Sequence, residues 1–379
     1  MKEKKLERTY LDNNATTALD ARVLAAMQEE LSTPPSNPSS VHHFGQEARK
    51  RLTKARSTVA NFLETRPSNI IFTSGGTESL NMLLRGAFSG KNNGHLITSD
   101  IEHSAIYNTV KLLESHGVRV TYLSAGLKGY IAPEQIEAAL QESTKLIALG
   151  AVNSETGVKN PIEEIAQIAK RRGLPFVVDG VALLGKELFK IPDGVSAMAF
   201  SGHKFHGPKG VGFAWIHSSF KLEPLLTGGD QEYAKRAGTE NLPGIVGLAK
   251  AVEILSEELP SATLRMQELR DLLEASLKAD FPGAVVHGEG SPRIANTSNI
   301  ALPALDGETL LMQLDMAGIA VSHGSACASG ALEPSRVLLN MGIPKKLAGS
   351  SLRLSLSRFT TREEILHILL TLKELALNS

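Results

Sequence analysis

The sequence predicts an α/β fold: a large, mainly parallel sheet domain with helices on both faces, followed by a smaller α+β domain. Three observations carry this expectation. From about Ala21 to Ile216, short β-rich runs alternate with helix-like stretches, and repeated strand–helix alternation pairs strands in parallel. Some runs are apolar almost throughout, as in PFVV at Pro175–Val178, which suits strands covered on both faces. Around Leu242 the texture turns helical before a second mixed stretch begins.

In chain order, the expected strands of the large sheet are Asn69–Ser74, His95–Ser99, Val118–Ser124, Lys145–Val152, Pro175–Asp179, Ala197–Ser201 and Gly210–Ile216. Helices are expected between most of them, and Pro161–Arg172 shows why. Ile162, Ile165, Ala166, Ile168 and Ala169 share one face; Pro161 opens the helix, Glu163 and Glu164 sit in its first turn, and Lys170 to Arg172 in its last. Gly173 then supplies a C-cap. Beyond the sheet, Leu242–Leu259 and Leu264–Lys278 read as two helices. Strand-like Thr297–Leu302 and Leu352–Leu356 and helices Gly307–Ala317 and Thr361–Leu377 complete the chain. The division expected is 12–250 for the large domain, with 1–11 and 251–379 forming the small one. No Pro/Gly-rich linker marks the boundary, so it should run along a helix.

Composition excludes several classes. In 379 residues, Lys+Arg and Asp+Glu are equal at 40 each, so bulk charge recruits neither nucleic acid nor a membrane surface. Hydrophobic residues at 42% set the chain apart from disordered sequences. A single cysteine, Cys327, rules out an intrachain disulfide and a cysteine-built metal cage within one chain. The charged start MKEKKLERTY has no apolar signal core behind it, and no stretch nears the ~18 apolar residues of a membrane span. A soluble, cytoplasmic protein is expected, with no metal site.

Three loops carry chemistry. Ser74–Ser79 places paired glycines between a strand and a helix, where free backbone N–H groups and the helix dipole favour an anion; it also reads as a tight turn. Phe200–Gly210 (FSGHKFHGPKG) sets a lysine after a buried strand, and such a lysine can lose its proton and form a Schiff base; the plainer reading is a surface turn. Asp179 closes four apolar residues, where burial demands a cationic partner or a helix N-cap. Together they offer an anion cradle, a Schiff-base lysine and a buried counter-charge, the three parts that pyridoxal phosphate needs.

With these residues in view, the chain resembles the fold-type I pyridoxal-phosphate enzymes, specifically the cysteine desulfurases of the iron–sulfur-assembly and nitrogenase-associated type. The resemblance runs from Tyr10–Thr17 (YLDNNATT) to Arg353–Thr360 (RLSLSRFT), through Asn37–His42, Ser74–Ser79, Glu102-His103, Arg236–Asn241 and Gly324–Cys327. It implies pyridoxal 5'-phosphate as cofactor and L-cysteine as substrate. Lys204 is then similar to the lysine that holds the cofactor and moves the α-proton, Asp179 to the acid that keeps the pyridine nitrogen protonated, and His103 to the imidazole stacked on the ring. Gly76, Thr77, Ser201 and His203 match phosphate ligands. Thr239 matches one delivered from another subunit, which implies a homodimer. Arg353, with Asn37 as a second candidate, matches the group that takes the substrate carboxylate. Cys327 alone could be a small buried hydrophobe; in its run of small, polar residues it resembles the cysteine that takes sulfur as a persulfide, for delivery to an acceptor or iron–sulfur scaffold protein.

Two positions depart from the family pattern. Ser154 stands where an amide usually contacts the cofactor, and Ala182 where a glutamine usually donates to its phenolic oxygen. A selenocysteine lyase would use the same residues. A drifted paralogue serving as a dimeric scaffold is the reading from a different class; Lys204 and Cys327 speak against it.

Overall fold

A computed structural model describes residues 8–88, 94–323 and 334–377. Its strands, in chain order, are β1 (Thr9–Tyr10), β2 (Ile70–Thr73), β3 (His95–Ser99), β4 (Arg119–Leu123), β5 (Thr144–Gly150), β6 (Phe176–Asp179), β7 (Ala197–Ser201), β8 (Gly212–Ile216), β9 (Val285–Val286), β10 (Thr297–Ala301), β11 (Ile319–Ala320) and β12 (Ser351–Ser355). Seven of them form one sheet in the order β2-β8-β7-β6-β5-β3-β4. Only β8 runs against its neighbours, β2 and β7; the other pairings are parallel. The sheet is therefore mainly parallel, as expected.

Side chains alternate cleanly between two cores. Phe176, Val178, Met198, Phe200, Phe213 and Trp215 join one apolar cluster, while Val177, Ala197, Ala199, Ala214 and Ile216 join the cluster on the opposite face. Both faces are covered, which is why β6 needs no polar alternation. The helix at Ile162–Arg172 ends on Gly173 at φ 63°, where the left-handed turn is open to glycine at no steric cost.

The second sheet, β12-β10-β9, is antiparallel, and β1 pairs with β11 in parallel. A third apolar cluster packs around it, drawing on Leu11, Met266, Leu273, Ile300, Leu354 and Ile368. One expectation is corrected here. The stretches Leu242–Leu259 and Leu264–Lys278 are a single 39-residue helix, Leu242–Asp280, with Pro260 inside it. Proline costs a hydrogen bond and invites a kink, yet both flanks are anchored: Leu248, Val252 and Leu255 in the first cluster, Met266, Leu269, Leu273 and Leu277 in the third.

All five strands β2, β3, β5, β6 and β7 end at the same edge of the large sheet. Asp179 is the last residue of β6, and the segments that follow the five strands carry Gly76, His103, Ser154, Ala182 and Lys204. Ligands of such sheets gather at that edge.

Candidate active site

A cavity of about 300 Å³ opens at this edge, lined by Gly76, Thr77, His103, Ser154, Asp179, Ser201, His203, Lys204 and Arg353 among others. Gly76 begins the helix Gly76–Phe88, so the unpaired N–H groups of the first turn lie at the cavity wall. A Cβ at Gly76 would come within 2.6 Å of Val181 Cγ2, so any larger residue there would have to displace Val181. Glu78 steadies the turn by accepting from Ser74 N–H at 2.8 Å and pairing with Arg236 at 2.8 Å.

Lys204 follows β7 on a short 3-10 turn. Its Nζ donates to the carbonyls of Asn14 and, at 3.0 Å, Ala15, which aims it across the cavity floor toward the N-terminal segment. His103 is the N-cap of the helix Ser104–Ser115. Its Nδ1 accepts from Ala105 N–H at 3.1 Å, so the neutral ring carries its proton on Nε2. The imidazole reaches solvent through the cavity yet lies deep in the molecule, and this withdrawal from bulk water lowers its pKa; Lys204, Arg336 and Arg353 add to the effect while Asp179 opposes it.

Asp179, at the end of β6, is buried and accepts from Val181 N–H at 2.9 Å. Among the described residues it forms no ion pair, and burial pushes its carboxyl upward. His203 meets Thr16 Oγ1 at 3.1 Å and is pushed down to about 4, by burial first and then by Lys204. Arg353, on β12, is buried; Asp12 Oδ1 holds it at 2.7 Å, and its Nε has no hydrogen-bond partner among the described residues.

Asn37 and Thr239 are exposed and do not line this cavity. Cys327 lies outside the described residues. Two wall residues escaped the sequence reading as members of the site. Glu102 is buried, accepts from Ser99 Oγ at 2.6 Å and Gly150 N–H at 2.8 Å, and is pushed up to about 7, chiefly by burial. Lys186 is buried, donates to the Lys204 carbonyl at 2.9 Å, and is pushed down to about 7 by burial and then by the charges of Lys204 and Arg358. The Gly185-Lys186 pair gave no local signal, because only the folded chain brings it beneath Lys204.

Residues 9–368 match the family described as aminotransferase class-V. The chain belongs to that family, among the cysteine desulfurases. Cysteine desulfurase 2 of Trichormus variabilis is 44% identical over 358 residues, covering 94% of this chain and 90% of that protein. Cysteine desulfurase IscS of Dictyoglomus turgidum is 40% identical over 359 residues, covering 94% and 91%. Among solved structures, a NifS-like protein superposes with a TM-score of 0.91 at 36% identity, covering 98% of this chain and all of that one. A structure described as SspA in complex with cysteine gives 0.83 at 32% identity, covering 93% and 100%.

Enzymes of this class depend on pyridoxal 5'-phosphate, and the wall suits that group. Asp179 is a buried carboxylate that forms no ion pair among the described residues, complementary to a protonated pyridine nitrogen. Gly76, Thr77, Ser201 and His203 gather donors around a helix start, a natural phosphate seat, and Lys204 supplies an amine. Ala182 lines the same wall, and its methyl side chain has no donor to offer.

Proposed function

We propose that this chain takes sulfur from L-cysteine, releases L-alanine, and carries the sulfur on Cys327 until an acceptor thiol collects it for iron–sulfur clusters or thiolated products. The observation that carries this reading is the convergence of Lys204, Asp179 and His103 on one cavity beside a buried, incompletely partnered Arg353. The desulfurase names of its relatives and the neighbour solved with cysteine support the choice of substrate.

When bound, pyridoxal phosphate supplies an electron sink that stabilises negative charge on the substrate's α-carbon. In this reading Lys204 anchors the cofactor and then moves the α-proton. Asp179 keeps a proton on the ring nitrogen by offering a buried negative charge. Gly76, Thr77, Ser201 and His203 hold the phosphate. Arg353, already oriented by Asp12, meets the substrate carboxylate through paired N–H groups. His103 presents Nε2–H toward the ring. The Cys327 thiolate attacks the substrate sulfur: a sulfur–sulfur bond forms, the carbon–sulfur bond breaks, and the carbon left behind takes a proton on the way to alanine. A homodimer belongs to the same reading, with the exposed Thr239 serving the neighbouring subunit's phosphate. So does a cytoplasmic location, since Cys327 must stay a thiol.

The test is alanine and sulfide release from cofactor-loaded protein given L-cysteine and a reducing thiol, beside Cys327→Ala. Matched products that vanish in the variant are expected. Products that persist in Cys327→Ala would remove the cysteine from the mechanism, and cofactor-loaded protein that turns over no L-cysteine would overturn the substrate.

A further inference from the structure

The turn that delivers His103 is held in an unusual way. Backbone carbonyls of Asp100, Ile101 and Glu102 lead into the histidine, and each is engaged by a side-chain donor from elsewhere in the chain. Asp100 O accepts from Arg336 and, at 2.7 Å, from Asn340 Nδ2. Ile101 O accepts from Asn153 Nδ2 at 3.0 Å. Glu102 O accepts from Arg336 Nη2. One guanidinium therefore spans two carbonyls two residues apart, a task for a rigid planar fork that a lysine cannot copy. The same guanidinium lies 4.2 Å from the ring centroid of Tyr107, one turn further along the helix that His103 caps; Tyr107 N–H in turn donates to His103 O at 3.0 Å. Contacts thus grip the three residues before His103 and reach Tyr107, one helical turn after it.

We propose that Arg336 is a positioning residue: by clamping the Asp100–Glu102 turn and the first turn of the following helix, it sets where His103 presents its imidazole in the cavity. The clamp adds a fixed positive charge beside a ring that also faces Asp179, Lys204 and Arg353, with Glu102 buried next to it. Loss of the guanidinium loosens the turn and removes one of three cations that disfavour the imidazolium. The inference rests on His103 being the ring-facing imidazole of the proposed function.

The experiment uses full-length, cofactor-free protein with labelled histidine. His103 is titrated by NMR, assigned by its loss in His103→Gln, in the wild type, Arg336→Met and Arg336→Lys. Amide exchange at Ala105 and Ile106 is followed in parallel. Arg336→Met should move the His103 midpoint upward and speed exchange in that first turn by at least about tenfold. Arg336→Lys should speed exchange as well, while leaving the midpoint nearer the wild type because a positive charge is kept. If either variant is folded and shows His103 midpoint and first-turn exchange both unchanged, the clamp is refuted, whatever the melting temperature does. Turnover enters none of these readings, so a failed desulfurase assay and a failed clamp are separate results.

Discussion

Lys186 shows what burial does to a single charged group. It is 2% exposed, and among the described residues its Nζ donates to a carbonyl, that of Lys204, and to no carboxylate, so the ammonium form has lost water without gaining a counter-charge. Its pKa falls to about 7 from an ordinary 10.5. Between those values the unfolded chain binds a proton that the folded chain does not, so the stability contributed by this site rises as pH rises from 7 toward 10.5. Comparison with Lys186→Met isolates the effect. In urea denaturation the wild type should gain on the variant between pH 7 and pH 9.5; a gap that stays constant would show that the folded-state lysine titrates normally. Lys186 was also illegible in the sequence, as was Arg336, because their roles come from neighbours far along the chain; Glu102 was visible only as part of the family match beside His103. Lys204 and Asp179 were legible at the ends of β-rich runs, where an apolar texture gives way to one reactive side chain; His103 came from the family resemblance, and the three line one cavity.

At the scale of elements, the strands of the large sheet were readable to within a few residues because β-rich runs end sharply at glycine and hydroxyl clusters, while the two-residue strands β1, β9 and β11 were not. His95–Ser99 and Ala197–Ser201 fall where expected, and Thr297–Ala301 stops one residue short. The joined helix Leu242–Asp280 was not readable, since Pro260 argued for a break and only tertiary burial of both flanks overrides it. A second element hidden from the sequence is the turn Glu232–Tyr233–Ala234, three consecutive non-glycine residues at φ 49°, 59° and 59°. Left-handed backbone costs roughly 1–2 kcal/mol per L-residue, so something must hold it. Arg56 does, gripping Glu232 with two bonds of 2.6 and 2.7 Å while Phe72 N–H donates to the same carboxylate at 2.8 Å. Both side chains are buried. Arg56→Met should therefore cost about 3–5 kcal/mol, the penalty for stranding a buried charge. Ala234→Gly should stabilise by up to about 1 kcal/mol by relieving one strained position. Chemical denaturation reads both, and an Ala234→Gly variant less stable than the wild type would mean the strain is not there.

Across the whole molecule, the first and third apolar clusters are joined by the long helix, and a four-membered ion-pair cluster ties it to other segments. Asp20 comes from the N-terminal segment, Glu258 from the middle of the helix, and Arg358 from the segment after β12. Arg22 completes the ring by contacting Asp20 at 2.8 Å and Glu258 at 2.6 Å. The two arginines touch the same two carboxylates but differ in surroundings: the Arg22 side chain is 46% exposed and that of Arg358 only 4%. An exposed partner is screened by water and contributes about 0–1 kcal/mol. Removing the buried one leaves Asp20 and Glu258 to the exposed Arg22 alone and takes a buried guanidinium out of the cluster, so it should cost more than the loss of Arg22. Arg22→Met is thus expected to leave the denaturation midpoint almost unmoved, and Arg358→Met to lower it clearly. Because Arg358 bridges the segment after β12 to the helix, its loss should also weaken cooperation between the two apolar clusters. Trp215, the single tryptophan, reports on the large sheet, while far-UV circular dichroism reports on the whole chain. The two unfolding curves should coincide in the wild type and separate in Arg358→Met. Equal effects of the two substitutions, with coincident curves in both, would show that the cluster acts through its number of bonds rather than through the burial of one arginine.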